Sequence, residues 1–215
     1  LSRDFNLLCD GTTDESALIN TALAAFTTTY NTFRFPAGTC DLGAVVTGQS
    51  GITLIGAGAG RTILRQRANT QLNDILVNFG TGATGVRLKG ITFDGNYANQ
   101  GAIARRIVLV SFISGVDIQV DDCEFKNGYG LGASVGILLG FGSSSNRVNV
   151  TNSYFHDAGT VTTEGSDCLY FSGQELNVQH NRFSGCTDTA TVCEAISTNG
   201  ALPSDHCLIA NNTYR

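Results

Sequence analysis

The stretch VNVTNSYFHDAG (residues 148–159) holds the pattern from which the fold is read. Val148 and Val150 alternate with polar residues, which makes a short strand with one buried face. From Val150 to Phe155 the step is odd, so the alternation breaks between them. Asn152-Ser153 fill the break. Asn tolerates left-handed backbone geometry and bonds to nearby backbone groups, so a turn is expected there.

The same pattern recurs along the chain. VRLKGITFDGN (86–96), VDIQVDDCEFKNG (116–128), LNVQHNRFSGC (176–186) and CLIANNTYR (207–215) align with it. The aromatic residues Phe93, Phe125, Phe155, Phe183 and Tyr214 are spaced by 32, 30, 28 and 31 residues. Five positions before them stand Leu88, Val120, Val150, Val178 and Ile209, and two before those Val86, Ile118, Val148, Leu176 and Cys207. The breaks hold Asp121-Asp122, His180-Asn181 and Asn211-Asn212, whose side chains could also bond from one repeat to the next. Between these segments lie IVLV (107–110), GILLG (136–140), CLYF (168–171) and EAIS (194–197), one further strand per repeat.

About thirty residues with two or three short strands cannot enclose a core alone, but stacked copies can, each aliphatic resting on its counterpart about 4.8 Å away. The expectation is an all-β solenoid of parallel strands, a β-helix of about thirty-residue coils. A propeller, with repeats of about 40 to 50 residues, does not fit the period.

GITLIGAGAGRTILR (51–65) must be weighed against a nucleotide-binding loop. A P-loop would need Gly where Ile55 stands and Lys where Arg61 stands, and a dinucleotide fingerprint would need Gly at Arg61. Gly51 lies 34 residues before Gly85, so Gly56 to Gly60 read as the corner of an earlier coil.

The 215 residues include 26 glycines, and only 14% are charged, in keeping with many strands and turns. A net charge of −5 gives no footprint for nucleic acid, and no apolar run is long enough to span a membrane. No signal peptide is visible, and the absence of methionine reads as a processed product or an excerpt of a longer chain. Seven cysteines and three histidines make no zinc pattern. The odd count leaves a thiol free or bonded to another chain. Cys9 with Cys40 and Cys186 with Cys193 are candidate pairs, beside the reading of several cysteines as small buried apolar residues. N-x-S/T sequons occur at Asn149 and Asn211.

TTDESALINTALAAF (12–26) reads as a helix capping the open end of the solenoid. Thr12 and Glu15 are spaced as a capping box, and Leu18, Ile19, Ala22, Leu23 and Phe26 form an apolar face. FRFPAGTCDL (33–42) returns as strand, with its turn at Pro36 and Gly38. One domain is expected over residues 1–215, with a cap at 1–45 and stacked coils at 46–215.

This opening resembles that of the pectate-lyase-like superfamily of right-handed parallel β-helices. Asp4-Phe5, Asp10-Gly11, Asp14-Glu15-Ser16 and Phe35-Pro36-Ala37-Gly38-Thr39 match its usual pattern, while Asn6 and Cys9 depart from it. LIANNTYR and VTNSYF look like its later turns. The resemblance covers nearly the whole chain and implies a right-handed parallel β-helix. It also implies a carbohydrate-active protein that is extracellular or virion-associated, with a polysaccharide partner and, as in tailspikes of the superfamily, a homotrimer. The superfamily holds lyases, hydrolases, epimerases and phage tailspike depolymerases, and the fold does not choose among them. Motifs of its epimerases (Y-G-x-D-P-H) and polygalacturonases (N-T-D, G-H-G) are missing. No cofactor is called for, apart from a calcium alternative at Asp117, Asp121 and Asp122.

Residues 155–183 form the richest polar cluster. Glycoside hydrolysis needs two carboxylates across the scissile bond, which adjacent coils can supply. Asp157, Glu164 and Asp167 are the expected acid/base group, with Glu194 on the corresponding strand of the next coil. His180 and Arg182 are candidates for binding a sugar carboxylate, and Tyr170, with Tyr129 and Tyr154, for stacking on sugar rings. Tyr154 facing inward is the alternative for that residue. Arg105 and Arg106 could grip an anionic glycan from a groove edge. Against all of these stands the reading of solvated turn residues, and against an enzyme that of a non-catalytic structural or adhesive solenoid.

Overall fold

The computed structural model describes residues 6–26, 31–70, 72, 74–101, 107–130, 136–160, 166–186, 191–193 and 207–215. Every strand pairing among them is parallel, and most strands pair with strands about thirty residues away. The chain is therefore a parallel β-helix, as the repeat requires. EAIS (194–197), Glu194, Glu164, Arg105 and Arg106 lie outside the described residues.

The repeat fixes the register. Phe93 lies beside Phe125, Phe125 beside Phe155, Phe155 beside Phe183 and Phe183 beside Tyr214. Leu88, Val120, Val150, Val178 and Ile209 follow one another in the same way on a second sheet. The Phe rings stack at centroid distances of 5.1, 4.8 and 4.9 Å, and Phe183 meets Tyr214 at 5.2 Å. Isolated aromatic pairs favour offset or edge-to-face packing. The backbone ladder imposes its own spacing of about 4.8 Å here, and near-parallel rings follow. A second ladder, Phe79, Phe112, Phe141 and Phe171, runs up the third side of the coils.

Corners fall where the alternation breaks. Gly90, Asp122, Asn152, His180 and Asn211, each three residues before an aromatic of the column, all have positive φ between 52° and 64°. Gly85, Asp117, Arg147 and Glu175, each one residue before the first aliphatic of the segment, and Asn127, Asp157 and Gly185 after the aromatic also have positive φ, between 52° and 66°. Asn, Asp and Gly dominate because they adopt this region at least cost. The GAGAG segment is one such corner, lengthened. A Cβ on Gly56 would collide with the carbonyl oxygen of Gly90, so glycine is required by close approach of two coils.

Side-chain amides lock successive corners. Asn181 is 2% exposed, accepts the Ser153 N–H at 2.8 Å and donates to the Val150 carbonyl at 2.9 Å. Asn212 repeats both bonds one coil later, to the Asn181 N–H and the Val178 carbonyl.

At the N-terminal end the helix Ser16–Ala24 buries Ile19, Ala22 and Leu23. Leu18 is left 38% exposed, and Phe26 packs only partly against the core. The expected capping box does not form. The Glu15 carboxylate instead accepts the N–H groups of Leu8 and Cys9, and the Asp14 carboxylate accepts that of Ser16. Thr12 lies in the strand Asp10–Asp14 and gives its N–H to Asp10.

Cys9 and Cys40 form a disulfide that ties the segment before the strand Asp10–Asp14 to the strand Gly38–Leu42. Cys186 pairs with Cys168, not with Cys193. The register decides this, because Cys168 begins the third side of one coil where Cys186 ends the aromatic strand of the next. Cys123 is free and buried, and burial pushes its thiol up to about 12. Among the described residues no helix is long and apolar enough to cross a membrane.

Two substitutions test the stacking. Asn181→Ala strands the Ser153 N–H and the Val150 carbonyl and should lower stability by about 2 to 4 kcal/mol. Phe155→Ala opens a gap between two stacked rings and should cost about 3 to 5 kcal/mol. Urea unfolding followed by circular dichroism reads both, and a loss below about 1 kcal/mol for either contradicts the ladder's role.

Candidate functional site

In the first sheet the core aromatics point inward, so their neighbours on each strand point away from the core, with Thr92 and Asp94 still buried. Before the aromatic, successive coils place Thr92, Glu124, Tyr154 and Arg182 in one row. After it they place Asp94, Lys126, His156 and Ser184 in the next. The two rows make a polar strip along the solenoid.

The strip is bonded internally. His156 Nδ1 lies 2.6 Å from Asp157 Oδ2, and Nε2 lies 2.9 Å from Glu124 Oε1 on the preceding coil. The other oxygen of Glu124 accepts from the Thr92 hydroxyl at 2.7 Å and faces Lys126 Nζ at 3.4 Å. Thr92 in turn accepts the Gly60 N–H, so the glycine corner steadies the carboxylate from two coils away. Tyr154 stacks on His156 with centroids 4.1 Å apart and shares a hydrogen bond with Ser184. The Arg182 guanidinium lies 4.5 Å from the Tyr154 ring centroid, a cation–π contact. Arg182 is exposed and makes no ion pair among the described residues.

These contacts set the charges. The His156 hydrogen bond, aided by Thr92 and Lys126 and opposed by burial, brings the Glu124 carboxyl down to about 2. Burial favours a neutral His156 ring, but hydrogen bonds to Glu124 and Asp157 outweigh it and hold the imidazole above its ordinary value.

The residues expected to carry function divide. Asp157 occupies a left-handed corner with its side chain 68% exposed, tied to His156. Asp167 is 6% exposed on the strand Ser166–Gln179, on another side of the coil. Packing and one disulfide link their surroundings: Gly185 packs against Asp157, and its neighbour Cys186 is disulfide-bonded to Cys168, next to Asp167. Arg182 lies on the polar strip. His180 is an exposed left-handed corner residue, and Tyr170 is half-buried on the third side. Tyr129 is fully buried and lies in the core, whereas Tyr154 is on the outer strip and not turned inward. Of the acidic residues weighed for calcium, Asp117 pairs with Arg147 and Asp121 is bound by Lys89, Thr151 and Asn152, while Asp122 sits at a left-handed corner. No group of three or more metal-ligating side chains occurs among the described residues.

Glu124 and Lys126 were not singled out by sequence, and His156 appeared only as a member of a polar cluster. The signal was present: aligning the repeats on their aromatics puts Glu124, Tyr154 and Arg182 in one column and Lys126, His156 and Ser184 in another.

Known proteins bear on this geometry at the level of fold and family. A Parabacteroides merdae protein named provisionally as a glycosyl hydrolase aligns with TM-score 0.66 and 11% identity, over 95% of each chain. The A-module of the Azotobacter vinelandii mannuronan C-5 epimerase AlgE6 aligns with TM-score 0.60 and 16% identity, over 98% of this chain and 56% of that module. PfbA, a surface adhesin of Streptococcus pneumoniae, aligns with TM-score 0.59 and 14% identity, over 100% of this chain and 72% of its own. At such identities the likeness is one of fold. No curated protein matches the sequence. Residues 2–201 match the family described as rhamnogalacturonase A/epimerase, pectate lyase-like. With that match spanning nearly all of the coils described above, the chain belongs to the pectate lyase-like family.

Proposed function

We propose that this chain is a carbohydrate-active β-helix that binds a surface or extracellular polysaccharide along the outward strip of its first sheet and cleaves it. The single observation that carries the reading is Arg182. It is an exposed cation without an acidic partner among the described residues, held over the Tyr154 ring in a row of polar side chains that follows the solenoid axis. A guanidinium so placed offers paired donors to a sugar carboxylate. Successive coils offer further contacts at a spacing of about 4.8 Å, which suits an extended polymer.

Asp157, with Asp167 and Glu164, is the acid/base group of this proposal. The Cys168–Cys186 bridge supports it, because it ties the strand that starts beside Asp167 to the corner that packs on Asp157. One carboxylate would protonate the leaving oxygen and the other would activate water. The protein would work outside the cell or on a virion, a setting that suits its disulfides. A homotrimer is part of the same proposal.

A second reading, a non-catalytic adhesive solenoid, is favoured by one observation: Asp167 is only 6% exposed, a poor position for a group that must meet substrate.

A panel of acidic and neutral polysaccharides, read for new reducing ends and for unsaturated-uronate absorbance together, separates the readings. Hydrolysis gives reducing ends without absorbance, and Asp157→Asn should then lower kcat at least about a hundredfold with the fold intact. Arg182→Ala should raise KM for an acidic polymer about tenfold and leave a neutral one unchanged. Both signals together would mean a lyase and remove the paired-carboxylate assignment. Binding without turnover would establish the adhesive solenoid instead.

A further inference from the structure

We infer that His156 makes this face's grip on an anionic sugar depend on proton uptake. The inference rests on the reading of the strip as a glycan-binding surface and adds the regulation of that surface.

The argument is geometric. Both ring nitrogens of His156 face carboxylate oxygens, at 2.6 Å from Asp157 and 2.9 Å from Glu124. A neutral imidazole carries one N–H, so it can satisfy only one of them and turns a lone pair on the other. Only the imidazolium donates to both. His156 is thus a cation by construction, and the hydrogen-bond network raises its affinity for that proton.

The groups around it set the balance. From the preceding coil, Glu124 and Lys126 face the ring, and Asp94 lies one coil further behind Lys126. From its own strand come Tyr154 and Asp157, and from the next strand Arg182 and Ser184. With His156 charged, Lys126, His156 and Arg182 balance Asp94, Glu124 and Asp157, and the patch beside Arg182 carries no net charge. When His156 loses its proton the patch becomes net negative, and the Asp157 carboxylate is left exposed without its cation. An anionic sugar then meets less attraction and more repulsion.

The sign follows. His156 binds its proton more tightly than an ordinary histidine, whose pKa is about 6.5. Anion binding is therefore full below that value and falls as pH rises through the higher pKa of the folded protein. By linkage, a bound anion must raise that pKa further.

The test uses the whole chain with three polyanionic glycans, pectate, alginate and hyaluronate, and dextran as a neutral control. Affinity is measured at pH 5.5 and pH 9, and the His156 imidazole is titrated by NMR. The expected result is an anionic glycan that binds at least about fivefold more tightly at pH 5.5. His156→Gln should abolish this dependence. Glu124→Gln, which removes one carboxylate and keeps the ring, should move the midpoint to lower pH, so the case does not hang on one variant's folding. Equal affinity at both pH values, or a dependence that survives in His156→Gln, overturns the inference and leaves the glycan-binding reading standing. No anionic glycan bound at pH 5.5, with NMR showing His156 protonated, removes the reading and the inference together.

Discussion

The structure depends on the parallel backbone ladder between coils, which holds like residues about 4.8 Å apart along the solenoid axis. Each coil alone has too little apolar surface to close a core. Stacked, the inward side chains of successive coils rest on one another in columns. Phe155 lies between Phe125 and Phe183, and Val150 between Val120 and Val178. The aromatic and aliphatic columns, the left-handed corners and the Asn181–Asn212 ladder all serve that one repeat. The turns are as constrained as the core, because a corner that drifts by one residue would turn the following strand inside out.

The same ladder builds the outer surface. It places side chains from separate coils in rows, so residues thirty positions apart become neighbours. Thr92, Glu124 and His156 come from three coils and form one chain of hydrogen bonds ending at Asp157. Tyr154, Ser184 and Arg182 gather beside it by the same rule. Function on this scaffold is a matter of which letters occupy the outward columns, which agrees with one fold appearing in epimerase and adhesin neighbours.

Much of this was legible in sequence, and what was not has particular causes. The aliphatic and aromatic columns were plain because their mutual spacing within a segment is constant. The positive-φ positions at Asp122, Asn152, His180 and Asn211 followed from the odd step between those columns. The second phenylalanine column, Phe79 to Phe171, was not read as a repeat, since intervening stretches of changing length disturb its frame. The helix start misled because Thr12 and Glu15 have capping-box spacing, yet Glu15 is drawn back to Leu8 and Cys9. At the site, acidic residues close in sequence drew attention to Asp157, Glu164 and Asp167. The network seen around Asp157 runs across coils instead, to Glu124, 32 residues from His156.

The most direct measurement is a crystal structure of the protein with an oligogalacturonate trisaccharide. The sugar should lie along the first sheet with a carboxylate within hydrogen-bonding distance of the Arg182 guanidinium and a neighbouring ring beside Asp157. A sugar seated on another side of the coils, or one on this face without contact to Arg182, would contradict the assignment of the outward strip as the glycan site.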